Sequence, residues 1–370
     1  MKLGIYIHIP FCAAKCNYCD FNSHISKKGE KERYIDALCR EIEEYKCSDT
    51  VVDTIYFGGG TPTILKPVQL ARIMAAVRRR FIVDADCEIT TECNPATIDA
   101  SGFKELRKAG FNRVSIGMQS ADDGLLKILG RIHTFEQCRE CVKAAREAGF
   151  ENVSLDLMFG LPDQDIKLWE STLYEAISLK PEHLSCYALK IEEGTPFASM
   201  KLNIADDDES GEMYDRCVEI LTQNGYNRYE ISNFAKDGFE SRHNKKYWLC
   251  DDFIGFGAGA YSCIENERFS NVAATDAYIN KVTEKGDAVD VRIPLSKEDK
   301  MSEFVYLGLR MDSGIDTEEF NKRFSIDIFD VFGDVIDKNI KRGTMVKEGN
   351  RLRITPDYIY VSNAILADFV

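Results

Sequence analysis

The property of this sequence that most restricts its fold is a regular alternation, over its first half, of short runs rich in Ile, Val and Tyr with amphipathic stretches. Segments 4–9, 54–58, 87–92, 113–117, 152–157 and 183–187 read as strands, and 31–46, 67–80, 101–109, 134–148 and 166–179 place apolar residues at helical spacing. Glycine closes helices in Lys108-Ala109-Gly110-Phe111 and Glu147-Ala148-Gly149-Phe150, each followed at once by a new strand. Six such units with short loops and right-handed crossovers predict an α/β chain curled into a partial (β/α)6 barrel with an open side.

Residues 1–200 are expected to form this barrel, 201–295 an extension of it, and 296–370 a smaller C-terminal α+β region resembling a winged helix. The acidic run Asp206-Asp207-Asp208-Glu209 is placed to start a helix reaching Asn224, its carboxylates favoured by the helix dipole. Segment 345–354 reads as a charged hairpin turning at Gly349-Asn350.

The chain is 370 residues long and carries a net charge of −14, which argues against a nucleic-acid partner because phosphate contacts need a basic face. No stretch approaches the roughly twenty apolar residues that span a bilayer, and the apolar start, broken by His8 and Pro10, lacks a cleavage signal. A cytoplasmic protein without a transmembrane segment is expected. Thirteen cysteines, odd in number and spread along the chain, read as thiols and ligands, most of them filling the core. Cys138 and Cys141 lie within a helical pattern, away from a helix start where a redox pair would gain thiolate character.

Cys12, Cys16 and Cys19 form a C-x-x-x-C-x-x-C run directly after the first predicted strand. A structural zinc site usually needs a fourth ligand, and His24 is the close alternative. Three thiolates on one loop can instead ligate three irons of a cubane and leave the fourth iron open. Other polar residues fall at the same strand ends: Gly58-Gly59-Gly60-Thr61-Pro62-Thr63, Glu92-Cys93-Asn94-Pro95, Gln119-Ser120 and Asp156. In β/α barrels, loops at the C-terminal strand ends converge on one mouth. Read singly, the glycine triplet could be a tight turn, Asp156 a helix cap and Arg131 a surface ion pair.

These motifs, with Ser115-Ile116-Gly117-Met118-Gln119-Ser120, Leu129-Gly130-Arg131-Ile132-His133 and Asp156-Leu157-Met158-Phe159-Gly160-Leu161-Pro162, resemble the radical S-adenosylmethionine (SAM) family around oxygen-independent coproporphyrinogen III oxidase. The resemblance implies a 4Fe-4S cluster on Cys12, Cys16 and Cys19 and SAM on its open iron. Tyr6 and Tyr18 would border SAM, Gly59, Gly60 and Thr61 would hold its amine, Glu92 and Arg131 would address its amino acid end, and Gln119 and Asp156 its ribose. A reduced cluster would then pass an electron to SAM, releasing methionine and a 5′-deoxyadenosyl radical; no further catalytic side chain is implied.

Within that family, the oxidases carry a further cysteine two places after the third and a long N-terminal arm. Here Phe21 stands at that place and Cys12 follows a short start. Together with His243-Asn244-Lys245-Lys246-Tyr247-Trp248, these features are similar to HemW-type haem chaperones. That resemblance implies haem as bound cargo, His243 as the haem-associated residue within 201–295, a haem-acceptor protein and an electron donor. From the residues alone, His243 beside Tyr247 and Trp248 suits either an axial ligand or a hydrogen-bonded core histidine. His8 is expected beside Tyr6 in the barrel, and His24, His133 and His183 as local hydrogen-bond groups. Tyr261 occupies a position where relatives often carry histidine. A coproporphyrinogen oxidase and a non-enzymatic zinc or thiol module are the competing readings.

Overall fold

The computed structural model describes residues 2–47 and 50–370. The six expected strands are all present: β1 (Leu3–Ile9), β2 (Val51–Gly59), β3 (Ile82–Cys93), β4 (Arg113–Gln119), β5 (Asn152–Phe159) and β6 (His183–Ala188) pair in parallel in chain order. Helices Glu30–Glu44, Pro67–Arg80, Ala100–Ala109, Phe135–Glu147 and Ile166–Ser178 connect them. Their ends follow local chemistry. Asp99, Thr134 and Asp165 each accept a hydrogen bond from a first-turn amide, and Gly110 closes its helix at φ 102°, a left-handed conformation that glycine adopts without strain. Asp206 caps helix Asp207–Gln223 with Glu209 in a reciprocal box, as the acidic run predicted.

The barrel has one more parallel strand than the sequence pattern indicated. β7 (Phe253–Phe256) pairs with β1, Gly4 opposite Phe253, so the 201–295 stretch contributes to the barrel itself. Beyond β7 the sheet continues antiparallel through Tyr261–Ile264, Glu267–Asn271 and Val289–Pro294. Beyond β6 it continues through Asn233–Ala235 and Asn227–Arg228.

Helix Arg242–Trp248 closes the barrel from below. Its first amides, those of Arg242 and His243, donate to the two oxygens of Glu88 on β3 at 3.1 and 3.0 Å. Lys246 reaches Asp53 at 2.9 Å and the Lys2 carbonyl at 3.0 Å, at the N-terminal ends of β2 and β1. These ties pin a seven-residue helix too short to be stable alone.

The C-terminal region comprises helices Lys297–Gly308, Thr317–Phe324 and Ile328–Lys341 and the hairpin Met345–Glu348/Arg351–Ile354, with Ile315–Asp316 as a third strand. One hydrophobic core runs from Leu3 to Phe369 and joins this region to the barrel. No helix is long and apolar enough to cross a membrane among the described residues.

Candidate functional site

A cavity of about 360 Å³ opens at the C-terminal ends of the barrel strands. Strand alternation builds its wall, since residues two apart face the same side. Arg113, Ser115, Gly117 and Gln119 line it from β4, Asp156 and Met158 from β5, Ser185 and Tyr187 from β6, Tyr56 from β2 and Glu92 from β3. Asn244 of the closing helix reaches it from below. Tyr56, Arg113, Ser115, Ser185, Tyr187 and Asn244 were not singled out from the sequence. The period-two pattern marks the strand residues among them, but which face turns inward is decided by the curl of the sheet.

The cysteine loop forms the roof. Cys12, Cys16 and Cys19 are all free, partly exposed thiols on the cavity wall. The loop is braced from several sides: the Asn17 amide donates to Leu129 O at 2.9 Å, its side chain to Ile128 O at 2.8 Å, and Lys15 Nζ to the carbonyls of Phe21 and Ser23, both at 3.0 Å. Gly130 permits the contact, because a Cβ there would stand 3.2 Å from Asn17 Cγ. Two donors then address the sulfurs: Arg131 Nη1 lies 3.7 Å from Cys16 Sγ and Thr61 Oγ1 3.7 Å from Cys12 Sγ. Hydrogen bonds to sulfur are what thiolate ligands of an iron–sulfur cluster use to settle their charge. Among the described residues no group of three or more His, Cys, Asp or Glu side chains, the three cysteines included, is placed to hold a single metal ion.

Below the roof, Gly59, Gly60 and Thr61 line the wall with their backbone amides already spent: Gly59 N donates to Glu92 Oε2 at 3.2 Å, Gly60 N to Ile9 O and Thr61 N to Phe11 O, both at 2.8 Å. This turn therefore offers a ligand oxygen acceptors, which suit an ammonium group. Gly60 must be glycine here, since a Cβ would stand 2.7 Å from Phe11 O and 3.0 Å from Cys12 Sγ. Gly117 likewise makes room for Gln119 and Arg131, each 2.9 Å from where its Cβ would be. Gln119 adopts φ 64° at a register shift in β4, a strained conformation that turns its amide into the cavity.

Two carboxylates, Glu92 and Asp156, and two guanidinium groups, Arg113 and Arg131, share the cavity wall. Burial, then the nearby Asp156, pushes the Glu92 carboxyl up to about 7, opposed by hydrogen bonds from Tyr56 and Gly59 and by Arg113. Burial also raises Asp156, opposed by the Ser115 hydroxyl at 2.9 Å and by Arg113. Arg131 donates to Gly117 O at 2.8 Å, while its buried Nε and that of Arg113 have no acceptor. A carboxylate-bearing ligand would supply one. The residues present thus fit an amino acid group, through Glu92 and Arg131, and a pair of hydroxyls, through Gln119 and Asp156. Tyr18 sits at the wall beside Arg131, its phenol raised by burial.

Two expectations differ from the geometry. Tyr6 stacks on Tyr56, ring centroids 6.3 Å apart, and shares a hydrogen bond with His8 Nδ1 at 3.1 Å; it is not among the residues that line the cavity. His243 is 1% exposed, and both nitrogens are taken, Nδ1 by Thr54 Oγ1 and Nε2 by Tyr247 OH, each at 2.8 Å. Burial drives its pKa down to about 3. It is therefore a hydrogen-bonded histidine in the barrel floor with no nitrogen free for haem iron, the alternative that the residues alone had left open. His24 pairs with nearby Glu30, whereas His133 reaches Met118 O and His183 reaches Ser154 and Tyr229, partners that the fold brings from distant segments.

Comparison with known proteins agrees with this architecture. Residues 6–173 match the Radical SAM superfamily and residues 295–357 the HemN C-terminal domain. A Bacillus subtilis (strain 168) protein described as heme chaperone HemW is 35% identical over 372 residues, covering 99% of this chain and 98% of that protein. Its Escherichia coli (strain K12) counterpart is 42% identical over 263 residues, 70% of this chain and 69% of that one. The solved structure of the E. coli radical SAM enzyme coproporphyrinogen III oxidase (HemN) superposes with a TM-score of 0.89 at 25% identity, over 100% of this chain and 90% of the other. From its barrel, its cysteine loop and these relatives, the chain belongs to the HemW family of radical SAM proteins.

Proposed function

We propose that this protein is a haem chaperone of the cytoplasm that carries a 4Fe-4S cluster on Cys12, Cys16 and Cys19, binds SAM in the barrel cavity, and passes haem to an acceptor protein. The observation that carries the cofactor half is the convergence of three partly exposed thiols, two unsatisfied guanidinium donors and two half-buried carboxylates on one cavity. Bound together, cluster and SAM supply one-electron chemistry. The chain's own part is to orient and shield: Arg131 and Thr61 donate toward cysteine sulfur, Glu92 accepts from the SAM ammonium, Arg131 pairs its carboxylate, and Gln119 and Asp156 hold its ribose. Tyr18 and the cysteine loop keep water from the roof. Thirteen unpaired cysteines suit a reducing compartment.

The chaperone half rests on the full-length relatives and on Phe21, which stands 61% exposed at the cavity edge where the oxidases carry a fourth cysteine. An electron donor is part of the same reading. Haem is not assigned to His243, whose nitrogens are occupied.

The test is anaerobic reconstitution with iron and sulfide, followed by SAM binding, haem titration, haem transfer to an apo-haem protein, and assay of coproporphyrinogen III decarboxylation. A cluster absorption band that disappears when Cys12, Cys16 or Cys19 is replaced by Ser, with haem bound and transferred and no decarboxylation, is the expected result. Decarboxylation turnover or failure to bind haem would overturn the chaperone reading. Absence of a cluster would overturn the cofactor reading.

A further inference from the structure

We propose that Tyr56 positions Glu92 for the ammonium group of SAM, and that the floor helix Arg242–Trp248 sets Tyr56 through His243. The inference rests on the SAM reading above and gives His243 a role in that site.

Three rings form a column beneath the cavity. Tyr56 stacks between Tyr6, at 6.3 Å and 18° between planes, and His243, at 5.3 Å and 21°. Two near-parallel neighbours restrict the phenol, and its hydroxyl donates to Glu92 Oε1 at 2.9 Å. The Gly59 amide donates to Oε2 at 3.2 Å, so each carboxylate oxygen has one fixed donor and the plane of the group is set. Each oxygen keeps lone-pair capacity for a further donor, which an ammonium group would fill. Gly58 leaves space for this arrangement, since a Cβ there would stand 3.0 Å from both Glu92 Oε1 and Tyr56 Cε1.

His243 is fixed more firmly than packing alone requires. Thr54 and Tyr247 hold its two nitrogens, and Glu88 holds its amide. Tyr247 in turn packs edge-on against Phe253 at the start of β7, centroids 4.7 Å apart. Any movement of the floor helix is thereby transmitted to the lower face of Tyr56 and on to Glu92.

Removing the Tyr56 hydroxyl takes away a donor that stabilises the charged form of Glu92. The ionisable groups facing Glu92 are Tyr6 from β1, Tyr56 from β2, Arg113 from β4, Asp156 from β5, Tyr187 from β6 and Tyr247 from the floor helix. Of these, only Arg113 and the hydroxyl of Tyr56 favour the carboxylate, and Tyr56→Phe leaves Arg113 and the Gly59 amide to do so.

The experiment is equilibrium dialysis of labelled SAM against reconstituted wild type, Tyr56→Phe, His243→Gln and the double variant, from about pH 6.5 to about pH 9. Tyr56→Phe should weaken SAM on the order of ten-fold near neutrality, the loss shrinking as pH rises and Glu92 regains its charge. His243→Gln should weaken SAM in the wild-type background and add little to Tyr56→Phe, since one acts through the other. Its haem titration should match wild type. A loss independent of pH, fully additive effects, or a His243→Gln variant that loses haem but keeps SAM would overturn the inference. Cluster absorbance and far-ultraviolet circular dichroism confirm that each variant is folded and loaded. Failure of wild type itself to bind SAM would sink the cofactor reading, whereas a wild-type Kd unchanged in Tyr56→Phe would sink this inference alone.

Discussion

Glu92 stores an unfavourable charge that binding is built to relieve, and replacing it with glutamine should therefore stabilise the empty protein at alkaline pH. Its carboxyl is raised from an ordinary 4.5 to about 7. The folded protein thus binds the Glu92 proton more tightly than the unfolded chain does. The resulting penalty is absent well below the unfolded value, grows as pH rises between the two values, and is complete above the folded one. At 1.36 kcal/mol per tenfold in proton affinity, the difference amounts to about 3 kcal/mol near pH 8 and under about 1 kcal/mol near pH 5. Glutamine removes the charge but keeps only one acceptor oxygen for the two donors Tyr56 and Gly59, a loss of about 1 kcal/mol. Glu92→Gln should then gain about 2 kcal/mol near pH 8 and be close to neutral near pH 5. The assay is guanidinium unfolding of the cluster-free protein at both pH values, with SAM binding measured on reconstituted samples, where the variant should be weaker. Equal stability differences at the two pH values would refute the reasoning, as would a variant less stable than wild type near pH 8.

The same structure makes further predictions. Gly60→Ala should displace the Cys12 loop, because the new Cβ meets Phe11 O and Cys12 Sγ; cluster absorbance after reconstitution should fall while the circular dichroism of the fold is kept. Glu41, raised to about 7 by burial, accepts Tyr278 OH and Asn271 Nδ2, both at 2.6 Å, and Gly257 N at 2.9 Å, tying helix Glu30–Glu44 to the glycine-rich turn after β7. Glu41→Ala leaves three buried donors unpaired and should cost on the order of 3 kcal/mol or more in chemical denaturation, whereas Glu41→Gln should cost clearly less. His243 is held neutral, so stability present above the unfolded value of 6.5 should be lost as pH falls toward about 3; the acid-side slope of Tm against pH should be shallower in His243→Gln.

Much of this molecule is fixed by short-range chemistry that the sequence states on its own. The six strand and helix units follow from apolar periodicity, and their ends from Asp99, Thr134, Asp165, Asp206 and Gly110, whose side chains or backbone freedom act within a few residues. The cysteine run, the Gly59-Gly60-Thr61 turn, Glu92, Gln119 and Asp156 were legible because parallel β/α units carry their loops to one end, so strand-end position gathers them, whereas Arg131, which follows a helix, was named only through the family resemblance. Tertiary structure decided what depends on contacts between distant segments. The pairing of Gly4 with Phe253 made a glycine-rich aromatic stretch into a seventh parallel strand, which no local pattern encodes. Curling of the sheet chose the inward face, and with it Tyr56, Arg113, Ser115, Ser185 and Tyr187. The surroundings of His243 are tertiary as well: the residue type allowed either an iron ligand or a core hydrogen-bonding group, and Thr54 and Tyr247 reach its two nitrogens only once helix Arg242–Trp248 has packed against the strands.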